Sequence, residues 1–442
     1  MTDLDTSQTK IAAYTIDALS EELDALARLP VDPYTKFVYD RARELHWTSE
    51  RALRRFGRFL RARLGAVPVK GATIDGPIPP PPERGRLFVD MTNTVETGAK
   101  TGIQRVVREI AREMVLSGAG LPVVIERGAL VPHYRHPSLP QTVTPGPGDI
   151  LLLLDAAWNN LGDYPRVLQT VKASGGKVVA AVYDILPLLY PALFRLAVAK
   201  TFAAWRETIV LQSDAVVAIS RATAESVAAY ERDAGNENPP PIGWWPLGAD
   251  FGAAAPGEAS PKAKRIAAGG AYLLSVGTLE PRKGYPVALD AFERLWTEGR
   301  DISYVIVGKA GWNASALRAR IRGHKEYDRR LFWFERARDA DLRALYAGAR
   351  AVVSASVAEG FGLPLVEAAL HGAPVIASDI PVFREVAGDG ARFFRLLDPG
   401  SLAAAIDAEL DVPKIAPRIG TISWRQSAET LARLIREDAY QL

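Results

Sequence analysis

The sequence predicts an α/β protein built from two doubly wound, Rossmann-like domains in tandem behind an N-terminal helical extension. Three observations carry this reading. Apolar runs of strand length alternate with stretches of helical spacing, which implies parallel sheets covered on both faces. The alternation halts in a proline-, alanine- and glycine-rich stretch and then restarts. A chain of 442 residues is also too long for one ordinary core.

Residues 1–85 read as helices followed by a linker carrying Pro77 and Pro79 to Pro82, where neither helix nor central strand fits. Within them Arg51 to Leu64 carries six arginines, with Leu53, Phe56, Leu60 and Leu64 on one face. Such a helix packs on a domain or lies on an anionic bilayer. The first domain is expected over 86–255. Arg86 to Asp90 is its first strand. Ile103, Val106, Val107 and Ile110 then fall at helical spacing. Asp149 to Asp155, Lys177 to Asp184 and Ala215 to Ser220 are further strands. Pro239 to Pro241 and the run Gly252 to Gly270 read as a second linker. The second domain is expected over 265–420, with strands at 271–277, 304–308, 331–334, 351–356 and 374–378. Residues 421–442 hold a final helix that crosses back to the first domain.

Composition narrows the function classes. Hydrophobic residues make up 48% and charged residues 24%, which is globular rather than disordered. A net charge of +3 gives no case for nucleic acid. Cysteine is absent, which excludes disulfides, a thiol nucleophile and thiolate metal sites and fits a cytoplasmic location. Met1 to Asp5 is polar, without a signal-peptide core. The most apolar region, Val178 to Trp205, is interrupted by Asp184, Pro187, Pro191 and Arg195, so it reads as core and not as a membrane span.

The chemistry concentrates in Ala358-Glu359-Gly360-Phe361-Gly362-Leu363-Pro364-Leu365-Val366-Glu367. A buried strand precedes it and a helix follows. Proline suits the first helical position, and Gly372 suits the left-handed residue beyond the helix end. Unpaired N–H groups at a helix start bind anions such as phosphate. Glu367 is then expected in the first turn, where it accepts from sugar hydroxyls. A diphosphate beside a sugar is a nucleotide sugar. Gly277-Thr278-Leu279-Glu280-Pro281-Arg282-Lys283-Gly284 follows the first strand of the second domain. Alone, Arg282 and Lys283 read as solvated loop cations. Beside the Glu359–Glu367 run they read as a diphosphate grip, forked bonds from arginine and a point charge from lysine.

These two motifs resemble the retaining glycosyltransferases of family 4, which have the GT-B fold. Val307-Gly308-Lys309, Asp339-Ala340-Asp341-Leu342 and Gly372 to Asp379 agree with it in order and spacing. Thr101-Gly102-Ile103-Gln104-Arg105 and Tyr183-Asp184-Ile185-Leu186-Pro187 look like the subgroup that builds surface polysaccharides. The resemblance implies GT-B, two facing Rossmann-like domains. It also implies that Glu367 holds the donor ribose and that Glu359 lies by the donor sugar. Phe361, Gly362 and Leu363 would offer backbone N–H groups, and Arg282 and Lys283 would neutralise the diphosphate. Gly308 and the loop 335–338 would border the base, and Gly102 would let the first domain approach the phosphate. Asp184 is a catalytic candidate that orients the acceptor or stabilises positive charge on the sugar; alternatively it only starts a turn.

Two positions depart from the family pattern. Thr278 stands where members often carry arginine, and Tyr183 where many carry histidine; the Tyr183 hydroxyl either substitutes for that contact or, with Asp184, only closes a strand and starts a turn. Asp339-Ala340-Asp341 reads as a helix cap rather than a metal motif. His133 and His136 lack a third ligand nearby, and His371 ends a helix where a cation suits the dipole. Asp379 and Glu385 read as braces at the cleft. No metal and no cofactor are expected. The implied partners are a nucleotide diphosphate sugar, first GDP-mannose, and a saccharide or lipid-linked saccharide acceptor. A peripheral contact with the inner face of the membrane would run through the arginine-rich helix. The rival readings are a non-catalytic sugar-nucleotide-binding scaffold and a dinucleotide oxidoreductase; the latter lacks a G-x-G-x-x-G after a first strand.

Overall fold

The computed structural model describes residues 85–98, 101–133, 142–159, 161–194, 196–250 and 257–442. The expected helical extension, its arginine-rich helix, the first proline linker and His136 lie outside these residues.

The first sheet has seven strands: β1 (Leu87–Asp90), β2 (Leu121–Glu126), β3 (Ala129–Pro132), β4 (Ile150–Leu153), β5 (Lys177–Val182), β6 (Ala215–Ala218) and β7 (Ile242–Trp244). Their spatial order is β3-β2-β1-β4-β5-β6-β7, parallel except for the β2–β3 pair. β1 and β4 are buried at every residue, as parallel strands covered on both faces must be. The β2–β3 hairpin was not legible in the sequence. Its two-residue turn puts Arg127 at φ 52° and Gly128 at φ 75°, and the arginine disguises a turn that usually advertises itself with Asn-Gly.

The second sheet has six strands: β8 (Tyr272–Val276), β9 (Ser303–Val307), β10 (Leu331–Phe334), β11 (Ala351–Ser354), β12 (Val375–Ser378) and β13 (Ala391–Phe394). Their order is β10-β9-β8-β11-β12-β13, all parallel, the doubly wound arrangement. The expected second linker is corrected in one part: Pro261–Ala267 is a helix, capped by Ser260, whose Oγ accepts from the Ala263 N–H at 3.3 Å.

Six helices position the site: α1 (Gly102–Leu116), α2 (Arg221–Asp233), α3 (Asp339–Gly348), α4 (Leu363–Leu370), α5 (Pro381–Ala387) and α6 (Trp424–Arg436). α6, the last, packs on α1 of the first domain. The chain leaves the first domain after Asp250 and returns before Trp424, and the two crossings are tied together. Ala249 N–H donates to the Ile422 carbonyl at 3.0 Å, and Trp424 N–H to Asp250 Oδ1 at 2.7 Å. One apolar cluster runs across the domain boundary, joining Val107 and Ile219 of the first to Phe361, Leu365 and Phe383 of the second, with Trp424.

Candidate active site

Doubly wound sheets bind ligands outside the strand ends where strand order reverses. In the second sheet that point lies between β8 and β11. After β8 the chain runs through Gly277 into the tight turn Pro281–Lys283. Gly277 and Gly308 meet back to back: a Cβ on Gly308 would fall 1.9 Å from the Gly277 carbonyl oxygen, so no side chain fits. After β11 the chain reaches Glu359, and the two loops join there. Arg282 Nη1 donates to Glu359 Oε2 at 2.7 Å, Lys283 Nζ to Oε1 at 2.5 Å, and Ser356 Oγ to Oε1 at 2.7 Å. Glu280 holds the other side of Arg282, at 3.2 Å. Burial works to raise the Glu359 carboxyl, but the Arg282 and Lys283 charges outweigh it and hold it down at about 2. The two cations thus sit on an acid rather than facing open solvent.

A narrow recess, partly open to solvent, adjoins this cluster and is lined by Lys283, Glu359, Gly362, Pro364 and Phe383. Gly362 caps α4 at φ 103°, and Pro364 is its second residue. Glu367 is therefore the fifth helical residue, one position beyond the expected first turn. Its carboxylate is 4% exposed. Tyr346 OH of α3 donates to Oε2 at 2.6 Å, and Arg105 of α1 pairs with Oε1 from the first domain. Burial pushes this carboxyl up, with Arg105 opposing.

Arg105 is the functional candidate that sequence reasoning passed over. It lies in the quoted Thr101–Arg105 run and off the apolar stripe of α1, which is the signal that it faces something polar. It also reaches the Asp250 carbonyl at 3.2 Å and lies over the Trp424 ring at 5.8 Å. The first domain thereby supplies a guanidinium to Glu367 of the second.

Gly102 does not follow the first strand directly, because the short helix Thr92–Thr97 intervenes. It opens α1, and its nearest neighbour across the cleft is Leu363, 3.8 Å from where a Cβ would lie. Phe361 is buried in the shared apolar cluster. Asp184 accepts from the Leu186 N–H at 3.1 Å, starting a turn. It also faces the cation cluster: burial raises its carboxyl, and the Arg282 charge opposes. Of the two readings of Tyr183 the structure fits the strand end, because the hydroxyl is buried and donates to the Leu154 carbonyl at 2.9 Å. The first sheet has its own reversal between β1 and β4, where Asp90 and Asp155 are both buried. Burial, then the Asp155 charge, pushes Asp90 up to about 7.

Loop Glu359–Leu363 also fastens the two domains. A Cβ on Gly360 would fall 1.8 Å from the Tyr183 carbonyl oxygen. Ser220 Oγ and Thr223 Oγ1 donate to the Gly360 carbonyl at 2.7 and 3.0 Å. Glu385 of α5 accepts the Arg221 and Ala222 N–H groups at the start of α2, at 2.8 and 2.7 Å. Asp379 instead pairs with Arg384 at 2.7 Å. In the Asp339-Ala340-Asp341 run the capping carboxylate is Asp341, which accepts the Arg338 N–H at 3.0 Å. His371 is corrected as a cation at the end of α4, because burial lowers its pKa and it stacks on Tyr346 at 5.6 Å. Among the described residues no group of three or more His, Cys, Asp or Glu is placed to hold a metal ion.

Residues 257–421 match the family described as glycosyl transferases group 1. The chain is 33% identical over 375 residues to an Escherichia coli protein named serotype-specific mannosyltransferase WbdA. That alignment covers 79% of this chain and 44% of the relative, so the chain spans less than half of the relative's length. Sucrose-phosphate synthase from Thermosynechococcus elongatus superposes at a TM-score of 0.56, with 19% identity, over 80% of this chain and 99% of that one. Anabaena HepE, in complex with UDP and glucose, superposes at 0.53, with 18% identity, over 79% and 95%. The match to the group 1 glycosyl transferases thus lies in the second domain, and the two doubly wound domains together have the GT-B fold of the superposed structures.

Proposed function

We propose that this chain is a retaining glycosyltransferase that moves mannose from GDP-mannose to a saccharide acceptor, lipid-linked at the inner face of the membrane, in surface polysaccharide assembly. The observation that carries it is the Arg282–Lys283–Glu359 cluster at the sheet reversal, beside the start of α4. The mannosyltransferase name of the relative supports the sugar, and UDP with glucose in the HepE structure supports a nucleotide-sugar cleft in this fold.

Donor entry moves Arg282 and Lys283 from Glu359 onto the diphosphate, and Glu367 exchanges Arg105 for the ribose hydroxyls. The bond between the anomeric carbon and phosphate oxygen breaks, and fixed cations stabilise the charge that develops on the leaving group. An acceptor hydroxyl bonds to the anomeric carbon from the same face, and its proton goes to the released diphosphate. Asp184 lies on the first-domain side, placed to orient that hydroxyl. Glu359, ionised throughout, balances positive charge on the sugar.

The test is transfer from GDP-mannose, UDP-glucose, UDP-galactose or dTDP-rhamnose to mannoside acceptors. The expected result is an α-linked mannosyl product from GDP-mannose, with kcat lowered by about 100-fold in Arg282→Ala. Unchanged transfer in both Arg282→Ala and Glu367→Ala rejects the site. The internal pairing of both glutamates also suits a non-catalytic sugar-nucleotide-binding protein, which donor binding without turnover across the acceptors would favour.

A further inference from the structure

We propose that Phe194 and Trp312 form a stacking platform for a pyranose ring of the saccharide acceptor, at the rim of the cleft; this rests on the transfer reading above. Phe194 belongs to the first domain and Trp312 to the second. Their rings stack across the boundary, with centroids 5.4 Å apart and planes at 28°, and Trp312 Nε1 donates to the Leu193 carbonyl at 2.9 Å. Both side chains are only half-buried, and Tyr190 (45% exposed) and Leu196 (71% exposed) flank Phe194 in the chain.

The chain ties this pair to the reacting centre from both sides. Gly311, next to Trp312, is fixed on the loop that delivers Arg282. Its N–H donates to the Leu279 carbonyl at 3.0 Å, and a Cβ there would lie 2.7 Å from Glu280 and 2.8 Å from Thr278. Phe194 follows Asp184 through two short helical turns, Leu186–Leu189 and Pro191–Leu193. The pair is thereby connected through the chain to Asp184 on one side and, through Gly311, to the Thr278–Glu280 loop on the other.

The chemistry suits a sugar. An aromatic face is apolar and carries a negative quadrupole, complementary to the C–H face of a pyranose, while the indole N–H, donated to the Leu193 carbonyl, fixes the ring that presents that face. In the closed arrangement the two rings cover each other. A sugar ring between them needs planes separated by two van der Waals contacts, about 7–8 Å, so a small opening rotation admits it. Large aromatics on loops held by a rigid scaffold are a usual form of recognition surface.

The experiment uses the whole chain and a lipid-free oligosaccharide of four α-linked mannose units. Its binding is followed by calorimetry, and transfer kinetics are measured in parallel. Trp312→Ala and Phe194→Ala should each weaken oligosaccharide binding and raise acceptor KM by about tenfold, with donor affinity unchanged. Trp312→Phe should retain most of the binding. Donor affinity falling as far as acceptor affinity overturns the platform in favour of a mere latch between domains. So does oligosaccharide binding that neither substitution alters, or a wild-type chain that takes only lipid-linked saccharide. If the wild type binds the oligosaccharide and Trp312→Ala loses it, while no donor supports transfer, the platform stands and the transfer reading fails.

Discussion

Glu359 and Asp90 are both buried acids at sheet reversals, and their surroundings push them in opposite directions. Glu359 stays ionised because Arg282 and Lys283 hold it. Its carboxyl is depressed from 4.5 to about 2, so it contributes stability above the pKa of an unfolded glutamate. That contribution, on the order of 3 kcal/mol, is lost as pH falls toward 2. Denaturant unfolding of Glu359→Gln should lack this loss between pH 4.5 and 3. Asp90 is raised from 3.8 to about 7, which means ionising it works against the fold. Stability from this group is complete below pH 4 and declines as pH rises through 7. Asp90→Asn should flatten that decline in the first domain's melting temperature; an unchanged slope from pH 5 to 8 would show that the burial cost lies elsewhere.

At the scale of elements, the loop between β11 and α4 does two jobs, presenting Glu359 to the cations and pressing Gly360 on the Tyr183 carbonyl. A methyl at Gly360 has nowhere to go unless the domains separate. Gly360→Ala should leave each domain's melting temperature within a few degrees, lower transfer by about tenfold or more, and enlarge the radius of gyration in small-angle scattering. This loop and α4 were legible in the sequence because glycine and proline mark where a strand ends and a helix starts. Gly372 behaves as expected, at φ 65°, with Ala373 N–H closing back on the Ala368 carbonyl. Other elements left no such mark. Pro261–Ala267 hides in a stretch that composition assigns to a linker, though Ser260 before Pro261 is a cap signal. The Arg105–Glu367 pair spans 262 residues, a separation over which no local pattern announces a contact. The role of the Tyr183 hydroxyl stayed open because sequence gives the residue's place at a strand end and not the direction of its ring.

For the whole molecule, α6 makes the first domain depend on the last residues of the chain. Ser423 and Gln426 form a capping box at its start, and Leu431 is fully buried. Arg436 donates to the Gly85 and Ala119 carbonyls, both at 2.9 Å, so the far end of the helix is fixed as well. Leu431→Ala should destabilise the first domain by about 2–5 kcal/mol in denaturant melts while leaving the second domain's transition in place. Equal loss in both transitions would mean that the domains unfold as one unit. The cleft is closed by direct contacts, namely Arg105 on Glu367, Glu385 on the start of α2, and Trp312 on Phe194. A ligand entering the cleft thus has to replace some of these rather than fill an empty groove.

The tie between Ala249 and Ile422, with Trp424 on Asp250, has a mechanical meaning. Two strings knotted at one place behave as a door hinge: the second domain can swing about a single axis through the knot, and sliding or twisting would break it. One guanidinium, that of Arg105, touches both the Asp250 carbonyl on that pin and Glu367 of the second domain, so Glu367 lies close beside the hinge. Whatever takes Glu367 away from Arg105 is felt directly at the pin, so a ligand at Glu367 would act on the angle of the door without any relay through the sheets.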